Sequence, residues 1–399
     1  MAEDPSGART GWRRLPTGVW AMGFGSLFMD TSSEWIHSLL PLFLVDVLGA
    51  SMMTVGVLEG LAEGTASIMK VFSGTLSDWL GRRKVLMVTG YGLAAATKPI
   101  FPLASSVGWV FFARFVDRVG KGIRGAPRDA LVADLAPSDA RGAAYGLRQA
   151  LDSVGAVLGP LFAFGLLMAL GDDLRLAMAV AVIPAILSVL VLVRFVHQPP
   201  RAGASERPPP RLRELRALPR RFWGVVALGV VFSLARFSEA FLILRAQDVG
   251  VALGWVPMVF VWMNVMYAAA AWPAGALSDR IDARGLLLGG LGLLLLADLA
   301  LASSAPGAVW VGAALWGFHL ACTQGLLSKL VADATPDALR GTGFGVFHLC
   351  AGLALVGAST LAGGVWSAWG PEATFLAGAG FAAVAMLGVA GSGRGGTPS

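Results

Sequence analysis

Two stretches of this chain occur twice, about half its length apart, and that repetition limits the possible folds more than any single residue does. Gly74-x-Leu76-Ser77-Asp78 returns as Gly275-x-Leu277-Ser278-Asp279. Leu131-Val132-Ala133-Asp134, with Arg141-Gly142 after it, returns as Leu330-Val331-Ala332-Asp333 with Arg340-Gly341. The offsets are 201 and 199 residues in a chain of 399. Two matches at nearly one offset mean a duplicated half, so the fold must be built from two similar units.

The composition says where those units live. The chain is 56% hydrophobic and only 14% charged, whereas about a quarter of residues are charged in soluble domains. A membrane-spanning helix needs about 20 mostly apolar residues, and twelve such stretches can be placed, six per half. They centre near Thr31, Glu63, Leu93, Arg118, Ala156 and Ile186, then Ala235, Asn264, Leu294, His319, Val356 and Phe381. The expected fold is an all-α membrane protein of twelve transmembrane helices in two pseudo-symmetric six-helix bundles, residues 1–197 and 222–399. Residues 198–221, with Pro208-Pro209-Pro210 and several arginines, read as a solvated linker between them.

Charge fixes the orientation. The net charge of +6 comes from bases at Arg9, Arg13 and Arg14, at Arg82-Arg83-Lys84, in the linker, and at Arg280 and Arg284. The opposite turns are acidic or neutral, with Asp46, Asp172 and Asp173 beside Arg175, Asp248 after Arg245, and Glu372. The positive-inside rule then puts both termini and the linker in the cytoplasm of a multi-pass protein. Topology explains the basicity without a nucleic-acid partner. The apolar run from Val19 to Leu48 is too long for a signal peptide and contains Asp30 and Glu34, so it reads as a retained first span. With 26 arginines against five lysines and abundant Ala and Gly, a bacterial inner membrane is the expected setting. Cys322 and Cys350 fall inside spans and read as packing thiols rather than a disulfide or metal pair.

Gly74-Thr75-Leu76-Ser77-Asp78-Trp79-Leu80-Gly81-Arg82-Arg83-Lys84 resembles the loop 2–3 signature of the major facilitator superfamily, sited after the second span, with a degenerate echo at Gly275 to Arg284. In span 5, Gly155-x-x-x-Gly159-Pro160 resembles the superfamily's antiporter motif, with Ala163 and Phe164 in place of its final glycine pair. Arg114 falls where drug–proton antiporters of the superfamily carry a buried arginine, although Asp117 departs from their pattern. The resemblance implies the superfamily fold, secondary transport by alternating access, export by proton antiport, and work as a monomer. It also implies a cytoplasmic gate, expected here at Gly74, Asp78, Gly81, Arg82, Arg83, Arg114 and Asp279. Independently of any family, Asp78 at a helix end can pair with Arg114, Arg82 or Arg128 or face another helix's N-terminus, while Gly74 and Gly81 permit close packing and a tight turn.

Intramembrane charge marks the candidate site. A charged side chain at the bilayer centre costs about 2.5–3.5 kcal/mol on insertion scales. The chain nevertheless keeps Asp30, Glu34 and His37 in span 1, and Glu59, Glu63 and Lys70 in span 2. Span 4 carries Arg114, Asp117, Arg118, Lys121 and Arg124. Each set traces one helical face, and these faces are expected to converge on a water-filled cavity between the halves. Embedded carboxylates are suited to carrying protons, so Glu34, Asp30 and Glu63 are the candidate coupling groups, against the alternative that each is tied to a span 4 base as structural glue. The substrate cavity is expected to include His37, Arg118, Lys121, Arg124, Arg236, Asn264 and His319. Lys121 and Arg124 opposite Arg236 suit an organic anion, unless the neighbouring acids neutralise them.

No Gly-x-x-x-x-Gly-Lys-Ser/Thr, His-Glu-x-x-His or Gly-x-Ser-x-Gly sequence occurs, which disfavours an ATP-driven pump or an intramembrane hydrolase. The expected function is non-enzymatic: proton-coupled export of a small organic compound, needing no metal or cofactor. Uptake or exchange of a small anion or nutrient is the alternative, and a ligand sensor on the same fold the rival outside transport.

Overall fold

The computed structural model describes residues 15–137, 140–198, 218–278, 283–336 and 339–391, apart from a few side chains inside helices. The described residues are almost entirely helical, with no strand among them. In the first half the helices are α1 (Thr17–Leu42), α2 (Met52–Leu80), α3 (Arg83–Thr97), α4 (Ile100–Leu103), α5 (Val107–Leu135), α6 (Arg141–Leu170), α7 (Leu174–Val180) and α8 (Val182–Phe195). The second half has α9 (Arg220–Ala235), α10 (Ala240–Asp248), α11 (Pro257–Ser278), α12 (Ala283–Ala302), α13 (Pro306–Ala334) and α14 (Arg340–Gly391). All twelve expected spans are present, but several are assembled from pieces. α3 and α4 form span 3, and α7 and α8 form span 6. Spans 11 and 12 run together as α14 and part only at Gly370, whose φ of 88° no helix accommodates.

Span 7 departs most from the continuous helix the sequence predicts. α9 ends at Ala235, Arg236 is extended (φ −117°, ψ 114°), and the chain resumes as α10 at Ala240. Broken backbone at this depth must find partners inside the protein. Here the Ser238 amide donates to Ser359 Oγ at 3.1 Å, and the Ala240 amide donates to Ser238 Oγ at 3.2 Å.

Six described helical stretches are long and apolar enough to cross a membrane by length and composition. α1, α2, α3, α5 and α13 are not among them, and α2 and α5 carry several charges each. Those charges are turned inward, while the outer surface exposes Leu103, Trp109, Phe112, Met168, Ile183, Leu190, Leu353 and Val384, as a lipid-facing surface requires. Small residues then let the helices approach. A Cβ on Gly120 would lie 2.6 Å from the Gly90 carbonyl, bringing α3 against α5, and one on Gly122 would clash with Met69 of α2.

The two halves meet asymmetrically. We call the end holding Gly81 to Lys84 the signature end and the opposite one the far end. The described contacts between halves run from the far end to about mid-depth. Gln247 Nε2 donates to Asp46 at 2.6 Å, the Met53 amide donates to Ser367 Oγ at 3.2 Å, and Phe164 meets Trp255 with ring centroids 4.9 Å apart. Between these, α2 lies against α14 so closely that a Cβ on Gly56 would strike the Ser359 carbonyl, and one on Gly60 would come within 3.0 Å of Val356. Linker residues 199–217, the side chain of Asp78, and Asp279 lie outside the described residues.

Candidate functional site

α2 and α5 run side by side in the same direction, and their charges pair in register. Arg114 donates to Glu59 at 2.8 Å, and one turn on Arg118 meets Glu63 at 2.7 Å. Asp117, between the two arginines, accepts from Lys98 at 2.9 Å, and Lys98 also donates to Ser33 on α1 at 3.0 Å. Lys98 is fully buried and anchors this layer, yet its position at a helix end gave no sequence signal. Charges removed from water persist only when paired and hydrogen-bonded, and this ladder meets that condition.

Arg114 therefore does not belong with the signature-end gate where the sequence reading placed it. It lies about 30 Å of helix from that end of α5, at 1.5 Å per residue, and its guanidinium is committed to Glu59. The described gate residues are held within the first half instead. Arg83 reaches across to Asp134 at 2.5 Å and to the Ala130 carbonyl at 3.2 Å, locking the start of α3 to the end of α5. Gly81, with φ of 63°, closes α2, and its carbonyl accepts from Gln198 Nε2 at 2.6 Å. Arg82 is exposed, and Gly74 lies within α2.

On α1 the three polar residues separate by exposure. Asp30 and Glu34 each keep about 25% of their side chains accessible, His37 has 11%, and its further partner Glu59 has 1%. His37 bridges the two acids: Nδ1 lies 3.3 Å from Glu34 and Nε2 3.6 Å from Glu59. Its ring also sits 5.3 Å from that of Phe260 in the second half. Glu59 is thus the sealed end of a chain that starts at Glu34.

The antiporter-like motif explains how this part of α1 is held. A Cβ on Gly155 would lie 2.7 Å from the Leu27 carbonyl and 3.2 Å from the Asp30 Cβ. One on Gly159 would lie 2.6 Å from the Thr31 carbonyl and 3.0 Å from the Glu34 Cβ. Gly155 and Gly159, with Pro160 beside them in α6, seat the turns of α1 that carry the two carboxylates.

A cavity of about 460 Å³ opens beside these turns. Asp30 and Glu34 of α1 and Gln149, Asp152 and Ser153 of α6 form one wall. Lys70 of α2 and Lys121, Arg124 and Arg128 of α5 form another, with Asn264 and Tyr267 of α11 supplied by the second half. It extends from mid-depth toward the signature end, where Lys70 and Gln149 are exposed. Across it Arg124 lies 3.6 Å from Asp30 and stacks over the Tyr91 ring at 4.4 Å. Arg148 holds Asp152 at 2.8 Å.

Of the residues expected to line a substrate cavity, Lys121, Arg124 and Asn264 do so. His37, Arg118, Arg236 and His319 are not part of its lining, and neither is Glu63. Arg118 is spent on Glu63, and Arg236 sits at the break between α9 and α10. His319 is buried inside the second half, its Nδ1 2.8 Å from the Gly290 carbonyl and its ring stacked on Phe232. The shared helical face was a sound signal for burial, but it could not say which turns meet a neighbour and which meet the opening.

The Major Facilitator Superfamily model matches residues 22–252 and 239–392. The chain belongs to the major facilitator superfamily. It is 30% identical over 389 residues to an uncharacterized MFS-type transporter of Methanocaldococcus jannaschii, covering 94% of each chain. It is 27% identical over 347 residues to the multidrug resistance protein MdtH of Salmonella typhi, covering 83% of this chain and 81% of the relative. Among solved structures, nucleoside transporter NupG superposes with a TM-score of 0.81 at 11% identity, over 94% of this chain and 99% of that one, a likeness of fold alone. This superfamily member is therefore a multi-pass secondary transporter of small molecules and not an enzyme.

Proposed function

We propose that this transporter exports a small organic compound in exchange for protons, with the signature end facing the cytoplasm. The observation that carries the reading is the pair of carboxylates on the cavity wall, Asp30 and Glu34, one turn apart and seated by the antiporter-like glycines. Both are reachable from the cavity, and neither is sealed as Glu59 and Asp117 are. In this reading Glu34 takes up the coupling proton. Protonation loosens its hold on His37, which touches both Glu59 and the second half through Phe260, so that proton state and the packing of the halves are linked. Asp30, held by Arg124 at 3.6 Å, is the second carboxylate in reach of substrate. Contacts closed at the far end with a cavity reaching the signature end fit an inward-open state. The halves, 1–197 and 222–399, then rock about the cavity, with Asp78 and Asp279 latching the cytoplasmic side. The multidrug relative supports export.

The test is a growth screen in an efflux-deficient bacterium across dyes, antibiotics and organic acids, followed by transport of each hit in everted vesicles. Resistance with the wild type, lost in Glu34→Gln and abolished when the pH gradient is collapsed, is the expected result. Hypersensitivity to a nutrient analogue would reverse the direction. Transport that ignores the pH gradient would remove the proton.

A further inference from the structure

We infer that the cavity recognises an anionic group through an unpaired lysine pair, Lys70 and Lys121, so that the transported compound is an organic anion. The inference rests on the cavity being the transport site, but not on the direction of transport.

The argument is one of charge accounting. Each carboxylate on the cavity wall has a basic partner: Asp30 has Arg124, Glu34 has His37, and Asp152 has Arg148. The wall arginines, too, face acids. Arg124 faces Asp30 and Tyr91, while Arg128 meets Asp129 at 3.1 Å, Asp152 at 3.8 Å and Ser26 Oγ at 3.1 Å. Lys70 and Lys121 are different. Both line the cavity, and neither ammonium has a hydrogen bond or ion pair with any described residue. They come from different helices, α2 and α5. Two like charges thus face one cavity, neither held by an ion pair or side-chain hydrogen bond among the described residues.

Charged groups at membrane depth are held by partners or mark a ligand path, and the partners are missing here. An anion between the two ammoniums supplies the counter-charge and relieves their mutual repulsion. Lysine is a compact point charge on a flexible stem, without the planar fork of arginine. The pair therefore asks for charge rather than for one geometry, and it takes carboxylates, sulfonates and phosphate esters alike. A volume of about 460 Å³ lies in the usual range for small-molecule sites, about 300–1,000 Å³. It leaves space beyond the anionic group for an organic body against Tyr267 and Ala156.

The test uses the full-length transporter in phosphatidylcholine nanodiscs and compares benzoate and inorganic phosphate with the neutral benzamide and the cationic benzylamine. Benzoate and phosphate should raise the melting temperature, and benzamide and benzylamine should leave it unchanged. Lys70→Gln and Lys121→Gln should each weaken the apparent benzoate affinity 10-fold or more, and Lys70→Arg should retain most of it, which separates charge recognition from misfolding. No response of the wild type to either anion would overturn the inference, as would equal responses to benzoate and benzamide. Stabilisation by added phosphatidylglycerol that benzoate and phosphate fail to displace would also overturn it, by assigning the lysines to a lipid headgroup. Flux in proteoliposomes separates the two readings. Anion binding without flux in either direction would sink transport through this cavity and leave the anion site standing. Flux of neutral or cationic compounds that is indifferent to both lysine substitutions would do the reverse.

Discussion

The two halves share a fold and a repeated sequence block, yet they are held together by different physics. In the first, buried charges form a layered network: Glu59 with Arg114, Glu63 with Arg118, Asp117 with Lys98, Asp30 with Arg124. In the second, the corresponding space is filled by rings. Phe237 contacts Phe241, Trp316 and Phe375 at centroid distances of 5.5 to 5.7 Å, and Trp366 packs on Phe241 and Phe375. The ion pairs described there gather around Arg245, at the far end, with Asp248 and Glu372. One further acid, Asp298, is buried with no hydrogen-bond partner for either oxygen among the described residues. Duplication supplied the scaffold twice, but only one copy holds the charge network next to the cavity. The other offers Asn264 and Tyr267 as its share of the cavity wall.

The largest effect should come from breaking the first half's ladder. Arg114→Ala leaves Glu59 buried without its guanidinium, and losing one partner of a buried pair costs about 3–5 kcal/mol. The expected result is a sharp fall in folded yield and melting temperature in detergent. Glu59→Gln together with Arg114→Gln should cost less than Arg114→Ala alone. If the double variant is the worse of the two, the pair is not acting as a unit.

A smaller effect should come from the contact that seats α1. Gly159→Ala pushes a methyl into the backbone of Thr31 and Trp35, and overpacking of this kind costs about 1–3 kcal/mol. Gly165, on the same helix, has open space around it. Gly165→Ala should be neutral in both melting temperature and transport, so equal behaviour of the two variants would detach the motif from α1.

The smallest effect is expected in the second half. Asp298→Asn removes an acid that no ion pair holds, so the melting temperature should stay level or rise, within about 1 kcal/mol of stability. A loss as large as that of Arg114→Ala would mean that this half also depends on a buried charge, and the contrast between the halves would fail.

Much of the architecture was legible in advance because apolar length and internal repetition are local signals. Twelve spans, a duplicated half, and the inward face of α1, α2 and α5 all follow from spacing. The site was less legible. His37 and Arg118 share their faces with cavity residues but are spent on buried or paired acids. Glu63 is spent on Arg118, His319 is buried inside the second half, and Arg236 falls at the break of span 7. Arg114 has the charge a gate needs and stands at the wrong depth. Lys70 carried no motif at all, and it stands out with Lys121 only when the arginines on the wall are seen to face acids.

By itself, then, the sequence determined the repeat, which is read from it directly, and the membrane setting and helix count, which are set by the cost of exposing peptide groups and charges to lipid. The tertiary structure decided which charges neutralise one another and which remain to meet a ligand. That choice depends on distances of a few ångströms between residues that are far apart in the chain, such as Lys98 and Asp117, 19 positions apart, or Asp30 and Arg124, 94 positions apart, and no local pattern encodes it.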